Sequence, residues 1–192
     1  MNLAWIDLET LGTDEHTDPI VEVACIVTDL GLNEPSAASW TNGEATWVFD
    51  DVVKPDGWPR CALSAEVAKM HAATGLLNEI DDGRPIRHVD GELAGMLDHW
   101  TDGGRIALAG SGVAHFDGRF IRAQMPQTAK RLTYWAMDIG AVRRFATQVC
   151  GLDDRRLPDT TKTHRALDDI RHHLAEARAW RCELAEAEGA SA

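Results

Sequence analysis

With 192 residues, 44% of them hydrophobic, the chain has material for one compact domain around a sizeable core, and a second domain is not expected. A net charge of -12, from 31 acidic against 19 basic residues, speaks against a protein that coats long nucleic acid by neutralising phosphates, but leaves open a short polyanion met by metal ions. Cys25, Cys61, Cys150 and Cys182 form no C-x-x-C pair, which argues against a zinc site or a disulfide framework and for reduced thiols in the cytoplasm. No basic leader and no run of about 18 apolar residues is present, so neither secretion nor a membrane span is expected.

The chain opens on a strand over 3–9, in which Trp5-Ile6-Asp7-Leu8-Glu9 sets two carboxylates two positions apart in an apolar run. Side chains at i and i+2 of a strand share a face, so Asp7 and Glu9 project together, roughly 6.6 Å apart along the strand. Burying both costs several kcal/mol unless cations neutralise them, so the pattern reads as a metal site; the alternative is an edge strand with two solvated acids. Residues 11–19 read as a loop, 20–28 as a second strand, 29–43 as a loose turn region carrying Gly31 and Pro35, and 46–53 as a third strand. The short connections favour an antiparallel meander. Ser64 reads as the N-cap of a helix through residue 73 that Gly75 stops. A helix over 93–100 then leads through a Gly-Gly turn to an apolar strand over 106–109. Helix over 117–124, strand over 136–139, helix over 141–150 and a long helical stretch over 164–186 complete the chain, with 189–192 as a frayed tail outside a single domain of residues 1–188. Three meander strands followed by alternating helices and strands predict an α/β fold, a mixed sheet covered by helices.

Two further acidic signals lie downstream. Asp117 falls at the start of a helix, where an acid taken alone reads as a cap. Thr163-His164-Arg165-Ala166-Leu167-Asp168-Asp169 opens the last helix. Positions five apart on a helix point about 140° apart, so His164 and Asp169 meet one site if His164 precedes the first turn; Asp168 then turns to solvent. By itself, His164 reads as a cap or surface residue.

Taken together, Asp7-x-Glu9, Asp117, and His164 with Asp169 resemble the DEDDh exonucleases of the ribonuclease H-like fold, and the oligoribonuclease family most of all. Ile20-Val21-Glu22-Val23-Ala24, Val27-Thr28-Asp29, Met70-His71, Thr74-Gly75-Leu76, Ala109-Gly110-Ser111, Met125-Pro126, Tyr134 with Asp138, and His164-Arg165-Ala166-Leu167-x-Asp169-Ile170 fall in that family's order, over residues 3–181. The resemblance implies a ribonuclease H-like mixed sheet and a 3′-to-5′ exonuclease releasing 5′-mononucleotides from short single-stranded RNA, with DNA as a second substrate. Asp7, Glu9, Asp117 and Asp169 would hold two divalent cations, Mg²⁺ or Mn²⁺, whose charge the four carboxylates match, and His164 would be the general base. Leu11, Met70, His71, Ser111, Tyr134 and Trp135 would contact substrate. A homodimer is implied as well, because the family supplies its tyrosine to the neighbouring subunit's site.

The chain departs from the family at the substrate end. Thr13 replaces a leucine for which Leu11 could substitute, Thr133 and Trp135 flank Tyr134 where the family has His and Arg, and Asp117 arrives one residue late relative to Gly110. Catalysis on this reading is intact and specialisation for dinucleotides is relaxed. Competing readings are a DEDDh exonuclease for longer strands, which the acidic balance disfavours, a non-catalytic nucleic-acid-binding module, and a structural metal site, which has no need of His164.

Overall fold

The structure, a computed structural model, describes residues 2–35, 47–59, 63–153, 158 and 163–190, the last four of these for the backbone alone. The first three strands are β1 (Asn2–Thr10), β2 (Ile20–Asp29) and β3 (Val48–Val52). After α1 (Ala65–Thr74), α2 (Leu76–Glu79) and α3 (Ile86–Thr101) come β4 (Ile106–Gly110), α4 (Asp117–Gln124), α5 (Pro126–Arg131) and β5 (Leu132–Asp138). The chain ends on α6 (Ile139–Arg144), a π-helical turn Phe145–Val149, and α7 (Ala166–Ala190).

The five strands lie in the order β3-β2-β1-β4-β5. β1 and β2, and β2 and β3, pair antiparallel, whereas β4 pairs parallel to both β1 and β5. The expected mixed sheet, meander plus parallel strands, is therefore present. Near-continuous apolar runs in β1 and β2 follow from burial on both faces. Ala4, Ile6 and Leu8 pack on one side with Val23, Cys25, Leu93, Leu97, Phe120 and Ile121. Leu3 and Trp5 point to the other side, against Ala166, Ile170, Leu174 and Trp180 of α7.

Some elements differ from expectation. The helix expected over 93–100 is α3, longer at its start, where the buried Asp90 accepts from the amides of Gln127 (3.0 Å) and Thr128 (2.8 Å). That tertiary bond makes a polar residue a core one, which periodicity misses. The strand expected over 136–139 begins at Leu132, and the short α5 precedes it; as an edge strand with half-buried side chains, β5 has weak alternation. The helix expected over 141–150 splits into α6 and the π turn, with Asp138 capping α6 by accepting from the Ala141 amide at 3.1 Å. α7 starts two residues later than expected and continues to Ala190, inside the segment expected to fray, because its Ala-, Glu- and Arg-rich sequence favours helix. The expectations for residues 36–46, Cys61 and residues 191–192 lie outside the described residues.

Candidate active site

Asp7 and Glu9 continue the series Leu3, Trp5 on the face covered by α7, and both are buried. The register of β1 against β2 shifts between Glu9 and Thr10, so the strand is bent beside these carboxylates. β4 pairs with β1 at Leu3, Ala4 and Trp5. Further along, the Leu8 amide donates to Asp117 Oδ1 at 3.1 Å, which draws the third acid against the strand between the first two. Asp117 thus spends an oxygen on β1 while Phe116 occupies the N-cap of α4, so the reading of Asp117 as a helix cap is corrected. The turn that delivers it depends on Gly110, whose φ is 152° and whose absent Cβ would lie 2.4 Å from Val113 Cγ1. The site accordingly sits at the carboxyl ends of two diverging parallel strands, where open α/β sheets form their crevices.

The fourth acid comes from α7. Asp169 is 1% exposed, and its Oδ1 accepts from the backbone amide (2.7 Å) and hydroxyl (2.8 Å) of Thr163. His164 precedes the first turn of α7 with a left-handed φ of 56°, a conformation that costs a non-glycine residue on the order of 1–3 kcal/mol. Glu9, His164 and Asp169 each bring a potential ligand atom within 4.8 Å of the others. Asp168 is exposed and pairs with Arg171 at 3.1 Å.

His71 of α1 is fully buried beside this group. Its Nε2 lies 2.9 Å from the Thr10 carbonyl and so carries the proton, leaving Nδ1 3.9 Å from Glu9 Oε2. Burial pushes the imidazole below its ordinary 6.5 and the nearby His164 adds to this, against the opposing Thr10 bond, so His71 is neutral near pH 7.

The remaining sequence candidates lie on different elements and differ in burial. Leu11 is 2% exposed, packed with Val21, Leu76 and Ile80, and lines an open cleft of about 510 Å³ with Gly12, Thr13, Leu63, Ser64 and Val67. Gln124 holds the loop behind that cleft by donating to the carbonyls of Glu15 (3.0 Å) and Asp18 (2.8 Å). Met70 and Ser111 are half-buried. On β5, Trp135 packs against the core beneath α7, whereas Tyr134 is 92% exposed.

Two residues quoted in the motifs had no role assigned from sequence. Glu22, 1% exposed, accepts from Arg165 Nε and from the Ala166 amide, each at 2.9 Å. Arg165 also reaches Glu79 through both terminal nitrogens (2.9 and 2.8 Å). Burial opposes the guanidinium charge, but the two glutamates outweigh it and raise its pKa. The signal was available: an acid inside the apolar run Ile20-Val21-Glu22-Val23-Ala24 calls for a buried partner as Asp7 and Glu9 do.

The donor set fits hard divalent cations. Its oxygens are carboxylate oxygens in a buried cleft, and Asp169 Oδ2 is buried with no hydrogen-bond partner among the described residues, a condition a cation would relieve.

The exonuclease family model, RNase T, matches residues 4–177. The chain belongs to this family. Among its relatives, the oligoribonuclease of Streptomyces coelicolor is 31% identical over 180 residues, covering 93% of this chain and 84% of that protein. That of Pseudomonas putida is 29% identical over 184 residues, 94% of each chain. The mitochondrial oligoribonuclease of Mus musculus is 27% identical, with 93% of this chain and 71% of that protein covered. Among solved structures, E. coli exonuclease I in complex with a dT13 oligonucleotide superposes with a TM-score of 0.68 at 16% identity, over 98% of this chain but 42% of its own. This exonuclease thus spans about two-fifths of exonuclease I, and what they share is the fold, the ribonuclease H-like fold expected from sequence. Among the described residues, no helix is long and apolar enough to cross a membrane.

Proposed function

We propose that this chain is a metal-dependent 3′-to-5′ exoribonuclease that hydrolyses short single-stranded oligoribonucleotides to 5′-mononucleotides in the cytoplasm. The observation that carries the reading is the meeting of Glu9, Asp169 and His164 within 4.8 Å, from β1 and from the start of α7 with the turn before it, more than a hundred residues apart in sequence. Asp7, Glu9, Asp117 and Asp169 would hold two divalent cations, Mg²⁺ or Mn²⁺. When bound, such ions supply an activated water and a Lewis acid for the departing oxygen of an in-line displacement. His164 takes the proton of the attacking water, an imidazole being suited to accept it near neutral pH. Thr163 and Asp169 hold the turn that carries it. His71, neutral and buried, keeps its Nε2 proton on Thr10 and shapes the wall behind Glu9.

Oligoribonucleotides are favoured over long strands by the relatives named oligoribonuclease and by the net charge of -12. Leu11, Met70, Ser111, Tyr134 and Trp135 form the proposed substrate rim. The exposure of Tyr134 on an edge strand supports a homodimer in which this tyrosine is covered by the second subunit. A second reading, action on longer single-stranded DNA, draws on the exonuclease I complexes with DNA oligonucleotides. A ladder of 5′-labelled RNA and DNA from two to twenty nucleotides, with Mg²⁺, Mn²⁺ or chelator, tests both. Stepwise loss of 3′ nucleotides from short RNA, abolished by chelator, is expected. Internal cleavage, chelator-resistant turnover, or preference for the longest DNA would reject the proposal.

Because Thr133 and Trp135 stand where a phosphate-capping His and Arg are expected from the resemblance, length discrimination is relaxed. Losing one charge-assisted contact removes about 1.5–3 kcal/mol, roughly tenfold to a hundredfold in preference. Five- to ten-residue RNAs should therefore approach dinucleotides in kcat/KM, and a dinucleotide preference above about a thousandfold would show that another cation supplies the cap.

A further inference from the structure

We propose that Glu22 is a positioning residue that fixes His164 over Glu9 and Asp169 through a clamp with Arg165. The inference rests on the reading of His164 as general base and concerns how that base is held.

Glu22 lies directly opposite Glu9 in the β1–β2 register, so the two acids are neighbours on the face under α7. Their surroundings differ. Glu22 has both oxygens engaged by the protein, Oε1 by Arg165 Nε and Oε2 by the Ala166 amide, each at 2.9 Å. Those bonds withdraw Glu22 from cation binding and assign it to the two residues that follow His164. A carboxylate suits both partners, since it faces the amide-rich start of α7 and a guanidinium. Arg165 extends the clamp outward to Glu79 of α2. On the other side of His164, Thr163 is tied to Asp169 through its amide and hydroxyl. His164 is therefore pinned before and after, which explains how a histidine with φ of 56° is held in place. One strand register thus sets the base relative to Glu9.

The test is a double-mutant cycle on the full chain with Mn²⁺ and a short RNA: Glu22→Gln, His164→Ala, and both. Glu22→Gln should lower kcat about 10- to 100-fold, as a misplaced catalytic group does, with KM and calorimetric Mn²⁺ affinity within about threefold. In the His164→Ala background it should cost nothing further. Because Glu22 is buried, Glu79→Gln at the solvent end of the clamp is the companion variant, with a smaller loss of kcat that also vanishes without His164. An equal loss in both backgrounds, a parallel loss of Mn²⁺ affinity, or unchanged kcat in Glu22→Gln would overturn the assignment; should Glu22→Gln not fold, an unchanged or additive Glu79→Gln would do so. If His164→Ala alone turns over like the parent, the general-base reading falls and this inference with it, a result distinct from additivity.

Discussion

Asp7, Glu9, Asp117 and Asp169 are each 5% exposed or less, gathered by the central strand β1, the start of α4 and the helix laid across the sheet, whereas Tyr134 on the edge strand β5 is 92% exposed. Inside, Asp117 is set by the Leu8 amide 109 positions away and Asp169 by Thr163 beside His164. At β5 no such contact orients the tyrosine ring among the described residues. The difference teaches that the buried acids are oriented from within the chain, whereas the exposed tyrosine of the edge strand is not. Under the proposed function, one subunit holds the carboxylate centre and a second covers β5.

The comparison can be broken most sharply at its interior. Asp169→Ala should lower turnover on the order of 10³-fold or more without unfolding the protein, because it removes a proposed ligand together with a source of repulsion between buried acids. Asp168→Ala, one position earlier and facing solvent, should stay within about twofold. Steady-state rates with circular dichroism on both variants check this, and near-parental activity in the Asp169 variant would reject the site.

A second expected effect concerns the base. His164→Ala should slow the chemical step roughly 10²–10⁴-fold with metal affinity nearly intact. Calorimetric titration with Mn²⁺ alongside rapid-quench kinetics separates this from a coordinating role, in which affinity and rate would fall together.

The rim should respond more mildly. Tyr134→Ala is expected to raise KM by about 10-fold and to weaken self-association, leaving Mn²⁺ affinity unchanged. Sedimentation of the parent at micromolar concentration should give a dimer; a fully active monomer would end the idea that β5 is completed by a second subunit.

The smallest effect is on stability. The folded chain holds the His71 pKa below 6.5, so on acidification the unfolded chain takes up this proton first, and stability falls as pH drops below 6.5. For a single group the slope is at most about 1.4 kcal/mol per pH unit. Urea midpoints of the metal-free protein between pH 5 and 8 should therefore show a flatter profile in His71→Gln, and an unchanged slope would mean that other groups carry it.

Much of this molecule was legible along the chain. Alternation placed Asp7 and Glu9 on one face, apolar stretches marked the first two strands and β4, and Ser64 with its bond from the Val67 amide and Gly75 at φ 82° closed α1 as local capping rules require. Such features depend on residues within a turn or two, where sequence spacing is spatial spacing. α5, the extent of β5 and the split after α6 were not legible, since they depend on an edge position and on Asp90 and Asp138 bonding to residues elsewhere.

By itself the sequence determined the kinds of donor, their order, and the helical spacing that separates Asp169 from Asp168. The tertiary structure alone decided where they meet. Asp117 is 109 positions from the amide that orients it, and Glu22 is 144 positions from the Ala166 amide it receives. No local propensity encodes contacts at that range. They arise because burial of two faces of one sheet leaves α4 and α7 a single way to pack, and the polar groups carried along must then find partners inside.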